Sequence, residues 1–381
     1  MVYTIFYSWQ SDLPNNKNRS FIETCIKQAI KATADNFDTK VFFAYDRDTL
    51  NITGSPDIAE TIFNKIDQSD LFIGDISIIN SGSNNRKTPN PNVLVELGYA
   101  ANALGWERVI CVCNTDYGGI DDLPFDLRQK RIVTFGASDN KQKVANAIAT
   151  TLRQLYGRGL LFHPIKDHIK GKIDYCVLEI IKQLSCLIFG TITMTDALAK
   201  VNDCMNLERT EIVGIFEKNA RVMGFFAHNN LNEVKRKLEG LLDASLSSKH
   251  IHDAWVVAII DLIHWLRGYS YLIANRKGAL FSSVFQPNPL FGINSAHEMS
   301  SDNPKDSYLL LKNVGVDNGK VLYVASIPKV QSTVLLSPHR INNGMIEEFS
   351  SCLYRVIEIS RRWLKVTGDE FVLDPEFYYI T

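Results

Sequence analysis

Two periodicities alternate along the first 155 residues. Residues 3–7 form a short apolar run. Phe21, Ile22, Cys25, Ile26, Ala29 and Ile30 then recur at the spacing of a helix with one buried face. Strand-like runs return at 41–44, 71–76, 109–112 and 131–135, and helical ones at 93–104 and 144–155. Between the second and third strands, Ser55-Pro56-Asp57 reads as a helix start. It offers a capping hydroxyl, a proline in the first turn and an acid near the positive dipole end. Ile58, Ile62 and Ile66 are the expected buried stripe of that helix.

Strand and helix alternating in this way predict an α/β domain with a parallel sheet covered on both faces. With right-handed crossovers, the expected form is a flavodoxin-like five-stranded sheet of order 2-1-3-4-5. Ligands then bind beyond the carboxyl ends of the strands, where the order reverses between strands 1 and 3. That nominates the loop at residues 8–12, the end of strand 3 at 74–77 and the polar segment 80–92.

The pattern changes after Gly157. Residues 169–187, 212–226, 231–242 and 254–273 read as helices, and 287–304 as a loop. Strands at 308–312 and 320–327 are joined by Val316-Asp317-Asn318-Gly319, a hairpin signal, and 345–366 is a final helix. The expectation is a first domain over 1–155 and a mainly helical domain with a small β-hairpin over 160–381.

Composition narrows the class. The chain has 381 residues, 45% hydrophobic and 22% charged, with a formal net charge of −1. Splitting the charges near residue 155 leaves 16 basic against 18 acidic residues, then 25 against 24. Neither part has the basic excess of a protein that grips nucleic acid by bulk charge. The most apolar stretch, 180–194, is too short for a membrane span and carries Lys182 and Gln183. Seven cysteines, an odd number set mostly in apolar segments, read as reduced, buried thiols. Cys111 and Cys113 are expected on one strand face as packing residues. The setting is expected to be cytoplasmic, with no membrane partner.

The candidate chemistry lies where the sheet topology puts it. Strand 2 leads into Asp46-Arg47-Asp48, strand 3 ends at Asp75, and Glu96 is expected in the first turn of the next helix. Between Val95 and Leu97, Glu96 faces partial burial, which disfavours its charged form unless a cation or substrate group compensates. Gly118-Gly119 lacks the spacing of a dinucleotide fingerprint. No phosphate-binding glycine loop, zinc-protease motif or serine-hydrolase elbow is present, so hydride transfer, NTP hydrolysis and those proteolytic chemistries lack support.

In order along the chain, Phe6-Tyr7-Ser8, Asp46-Arg47-Asp48 with Gly54, Ile58/Ile62/Ile66, Ser69-Asp70-Leu71-Phe72-Ile73 and Glu96 resemble the TIR and TIR-like domains. The resemblance covers roughly the first 135 to 155 residues. Many TIR domains carry a Trp-Cys pair where this chain has Asn92-Val93. The version Asn92-Val93-x-x-Glu96-Leu97-Gly98-Tyr99-Ala100 looks like the prokaryotic, antiphage-defence branch. It is also similar to nucleoside 2-deoxyribosyltransferases, which set a glutamate in an equivalent motif.

The resemblance implies cleavage of an N-glycosidic bond, with NAD⁺ as substrate rather than cofactor, by hydrolysis or cyclisation. It implies Glu96 as the catalytic residue, beside the oxocarbenium-like centre and the ribose hydroxyls. Tyr7 or Trp9 would stack on a base, Asp75 orient the ribose or Glu96, and Arg47 and Ser55 meet phosphate. Ser8, Asp46 and Asn92 complete the candidate substrate-binding set, and no metal is called for. The resemblance further implies a homo-oligomer on activation, with a phage-derived or nucleotide trigger at the C-terminal domain. The alternatives are a nucleoside N-glycosidase with Glu96 as covalent nucleophile, and a non-enzymatic adaptor whose Glu96 is structural.

Each residue also has a plainer reading. Glu96 can be a helix-start acid, Asp75 a turn cap, Asp46-Arg47-Asp48 a solvated cluster, Trp9 a packing residue and Ser55 a helix cap. In the second domain, Arg221 and His228 loosely resemble the Arg-x₄₋₆-His signature of HEPN ribonucleases, against an expected surface and packing role. His250, His252 and His264 lack a carboxylate or thiol at ligand spacing. Trp255, Leu262, Trp265, Tyr269 and Leu272 follow helical spacing and are expected in the core.

Overall fold

The structure, a computed structural model, describes residues 2–34, 42–46, 58–82, 86–161, 164–275, 280–315, 318–368 and 371. The chain divides into two compact units, one built on residues 1–167 with 248–252 and 367–369, the other on 168–247 and 253–366 with 370–381.

In the first unit, strands β1 (Val2–Ser8), β2 (Phe42–Asp46), β3 (Leu71–Asp75), β4 (Val109–Asn114) and β5 (Ile132–Phe135) make one sheet. Every pairing is parallel and the order is β2-β1-β3-β4-β5, as the alternation of elements requires. Helices α1 (Arg19–Ala34), α2 (Ile58–Asp67), α3 (Pro91–Ala103), α4 (Phe125–Arg128) and α5 (Lys141–Gly157) connect or follow the strands.

Because successive side chains on a strand point to opposite faces, β1 feeds two cores. Ile5 and Tyr7 join Ile22, Ile26, Ile148 and Leu152 under α1 and α5. Phe6 joins Ile66, Phe72, Val93 and Leu97 under α2 and α3. Cys111 and Cys113 share this second face, and burial pushes both thiols up to about 12.

The expected stripe of α2 needs correction. Ile66 is buried and Ile62 half-buried, but Ile58 is 62% exposed. It lies a full turn beyond the part of α2 held against α3, where Phe63 stacks on Tyr99 at 4.4 Å and Tyr99 Oη donates to Asp67. The helix start proposed at Ser55-Pro56-Asp57 lies outside the described residues.

The second unit is mainly helical. Helix α6 (Pro164–Phe189) is followed by α7 (Met194–Ala199), α8 (Val201–Asn206), α9 (Arg209–Lys218), α10 (Gly224–Ala227), α11 (Asn232–Leu246) and α12 (Asp253–Asn275). A long helix, Ile346–Thr367, closes the described fold. Residues 212–226 are not one helix: α9 ends at Lys218, and β6 (Arg221–Met223) precedes α10. The apolar spacing continues across that break, which is why periodicity alone merges the pieces.

The hairpin is also larger than its sequence signal. Strands β9 (Ser307–Gly315) and β10 (Asn318–Ser326) pair antiparallel, and β8 (Phe291–Ser295), inside the stretch expected as a loop, pairs with β9. A second three-stranded sheet, order β6-β11-β7, joins β7 (Phe281–Ser283) and β11 (Pro338–Ile341) to β6.

Among the described residues, α12 over Asp253–Ala274 is a single helix long and apolar enough to cross a membrane, and α6 passes the same test only when taken together with the segment Met194–Asn206, from which it is bent by 95°. Half of the α12 stretch is buried, however, and Trp255, Ile259, Leu262, Leu266 and Tyr269 line the inward side of a core helix. Trp255 packs edge-on to Trp363 at 5.1 Å.

Candidate functional site

The carboxyl ends of β1 and β3 meet at the point where the strand order reverses, with Ser8 beside Gly74 in register. Strand alternation sends Tyr7 and Ser8 to opposite faces. Tyr7 is fully buried under α1 and α5, and its hydroxyl has no hydrogen-bond partner among the described residues. Burial holds its phenol well above the ordinary range. Ser8 turns toward α3, where its Oγ donates to Glu96 Oε2 at 2.5 Å.

Helix α3 is built to hold that glutamate. Asn90 caps it, accepting from the backbone N–H of Asn92 and Val93, and Pro91 occupies the first turn, where its missing N–H costs nothing. Val93, Leu97 and Ala100 form the buried stripe, and Glu96 borders it, half-buried. It lies in the second turn, not the first. The helix dipole fades within one turn, so it does not account for a glutamate at this position. Asn90 also donates to Asp12 at 2.6 Å, tying the start of α3 to the loop after β1.

Beneath this surface lies a buried polar network. Asp75 is fully buried at the end of β3. It accepts from Ser77 Oγ at 2.5 Å, Ser77 N at 3.1 Å, Asn18 Nδ2 at 3.1 Å and Gln10 Nε2 at 3.2 Å. Ser77 Oγ in turn accepts from Asn18 Nδ2 at 2.9 Å and Asn114 N at 2.8 Å, which directs its own hydrogen to Asp75. Asn114 Nδ2 closes the circuit by donating to Asn18 Oδ1 at 2.8 Å, and Gln10 Oε1 accepts from Leu13 N. Burial raises the Asp75 pKa, and the hydrogen bonds from Ser77, Asn18 and Gln10 pull it partly back. One carboxylate thus pins the loops that follow β1, β3 and β4.

The remaining candidates are spread around this edge. Trp9 is half-buried, with the Arg19 guanidinium 3.4 Å above its ring centroid, a cation–π contact. Asn92 is exposed in the first turn of α3. Asp46 ends β2 and pairs with Lys65 of α2 at 2.9 Å. Arg47 and Ser55 lie outside the described residues. The structure therefore joins Ser8 to Glu96 directly, links Asp75 to them through the loop that Gln10 anchors, and sends Tyr7 into the opposite layer.

Asn18, Ser77 and Asn114 were not singled out as site residues from the sequence. Ser77 stood within a nominated strand end, but Asn18 sits alone before α1 and Asn114 closes an apolar run. Only the convergence of three strand ends shows that Asn18 and Ser77 face one carboxylate and that Asn114 braces them both.

In the second unit, Arg221 is exposed on β6 while His228 is buried after α10, its Nε2 3.4 Å from His339 Nε2. The two residues of the ribonuclease-like spacing are therefore set in different surroundings rather than on one helix. His250, which belongs to the first unit, meets the Asp67 carbonyl there, and among the described residues no group of three His, Cys, Asp or Glu side chains is placed to hold a metal ion. A comparison with protein-family models and with curated proteins finds no match.

Proposed function

We propose that the first unit is a TIR-like domain of flavodoxin-like class that cleaves the nicotinamide–ribose bond of NAD⁺. The observation that carries this reading is the Ser8–Glu96 hydrogen bond at the reversal of strand order. It sets an oriented carboxylate at the strand ends, where ligands of such sheets bind.

The chemistry suits a single carboxylate. When the C1′–N bond breaks, its electron pair neutralises the nicotinamide ring, so the leaving group needs no proton. Positive charge develops on the ribose, and Glu96 stabilises it while accepting hydrogen bonds from the ribose hydroxyls. Water adds to C1′ and gives its proton to solvent, leaving ADP-ribose; attack by a group within the same nucleotide gives a cyclic product. Ser8 holds Glu96 in one orientation. Asp75 acts as a positioning residue through Gln10, and the exposed edge of Trp9 offers a stacking surface. Asn92 and Asp46 border the substrate, and Arg47 and Ser55 are assigned to phosphate by resemblance alone. On this reading the protein is a cytoplasmic defence effector that assembles on activation, with the second unit governing when.

The test incubates purified wild type and Glu96→Ala, dilute and concentrated, with NAD⁺ and a nucleoside panel, and separates released bases by chromatography. Nicotinamide from wild type alone supports the reading. Free nucleobase from nucleosides instead identifies a deoxyribosyltransferase-like N-glycosidase, and no turnover at any concentration identifies a non-enzymatic adaptor.

A further inference from the structure

A second site lies in the C-terminal unit, independent of the reading above. Between the end of α6 and the β6-β11-β7 sheet is a cleft of about 520 Å³, within the size range that holds small organic ligands. Its floor is apolar and ringed: Phe226 and Phe291 with Met223 and Ile192. Its polar groups are the amides of Gln286 and Asn288, Thr191 and the Arg221 guanidinium. Among the described residues no carboxylate lines it.

The cleft is rigidly framed before any ligand arrives. Gly190 leaves α6 at φ +69°, a conformation that disfavours any side chain, and turns the chain so that Thr191 and Ile192 form one wall. The opposite wall, residues 284–291, is fastened to β11 and its approach. Val284 N donates to Pro338 O, Asn288 N to Leu336 O and Gln286 N to Ser337 Oγ. Pro287 and Pro289 restrict the same wall further. Asn313 holds it from behind through the Pro289 carbonyl. A wall fixed in this way costs little ordering entropy on binding.

Charge selects the ligand. Arg221 of β6, which lines the cleft, stands directly opposite Arg340 of β11 in antiparallel register, so both side chains leave the same face of the sheet, with Arg340 next to the lining rather than part of it. Both residues are exposed, and among the described residues neither has a carboxylate partner. Like charges directly opposite on neighbouring strands repel, and an anion between them removes that repulsion. We infer that this cleft binds a small planar aromatic or heterocyclic anion. Its ring lies against the half-buried Phe291, its acidic group meets Arg221 with Arg340 beside it, and its polar edge meets Gln286 and Asn288.

The test uses the full chain and a matched pair of fluorescent probes, anionic 8-anilinonaphthalene-1-sulfonate and neutral N-phenyl-1-naphthylamine. Arg221→Ala and Arg340→Ala are expected to weaken the anionic probe about tenfold each and leave the neutral one nearly unchanged. Phe291→Ala is expected to weaken both. Melting temperatures check that the variants fold, and Arg221→Gln, which keeps length without charge, replaces any alanine variant that does not. Displacement of the anionic probe by 1-naphthoate or by adenosine 5′-monophosphate distinguishes a carboxylate from a phosphate ligand. Unchanged affinity in both arginine variants, equal loss of the neutral probe, or displacement by neither competitor overturns the site.

Discussion

Replacing Asn18 by Ala removes the side chain that ties three strand ends together. Asn18 is fully buried; its Nδ2 donates to Asp75 and Ser77, and its Oδ1 accepts from Asn114. The bond to the carboxylate contributes about 1.5–3 kcal/mol and each neutral bond about 0.5–1.5 kcal/mol. Allowing for relaxation, the expected loss is about 3 kcal/mol, a large share of the roughly 5–15 kcal/mol that stabilises a domain. For a unit of this size that lowers the melting temperature by about 6–12 °C. Calorimetric unfolding reads the shift. Amide exchange in residues 71–75, which span β3, shows whether the loss falls in this sheet. Ser20→Ala, two residues on, exposed and losing only a surface bond to Asn15, is the control and should change little. A loss below about 1 kcal/mol, or one no larger than that of Ser20→Ala, would refute the claim that the network holds the edge together.

Three further outcomes follow from other parts of the molecule. Burial raises the Asp75 pKa in the folded protein, so the folded state holds that proton more tightly than the unfolded chain. The contribution of Asp75 therefore falls as pH rises above the unfolded value of about 4. Urea unfolding from pH 4 upward should show wild type losing stability relative to Asp75→Asn, and a gain with rising pH contradicts the sign. A Cβ on Gly224 would sit 2.2 Å from the Val334 carbonyl oxygen and 2.8 Å from His339 Cε1. Because backbone must move, Gly224→Ala should cost about 1–3 kcal/mol in a thermal melt, and an unshifted melt rules out that contact. In the second unit Lys170 pairs with Asp174, which also accepts from Trp363 Nε1 at 2.6 Å, all nearly inaccessible to water. Lys170→Met leaves a buried carboxylate short of its cation and should cost about 3–5 kcal/mol by urea unfolding.

The amino-acid pattern determined the parallel α/β sheet. Alternation of short apolar runs with amphipathic segments is local, and right-handed crossovers leave few strand orders to choose from. It also located Glu96 on a helix after β3. Near-neutral charge in both parts of the chain disfavours polyanion grooves and favours small sites made of a few residues.

Tertiary structure decided which side chains meet. Tyr7 and Ser8 are adjacent in sequence yet serve opposite layers, because a strand alternates its faces and α3 covers only one of them. Asn18, Asp75 and Asn114 lie far apart along the chain and share one circuit because parallel strands bring their carboxyl ends to one edge. In the second unit, β6 broke a continuous helical spacing, and its register with β11 set Arg221 against Arg340. Spacing along a chain records which face a residue can occupy; strand register and crossover geometry determine what it meets there.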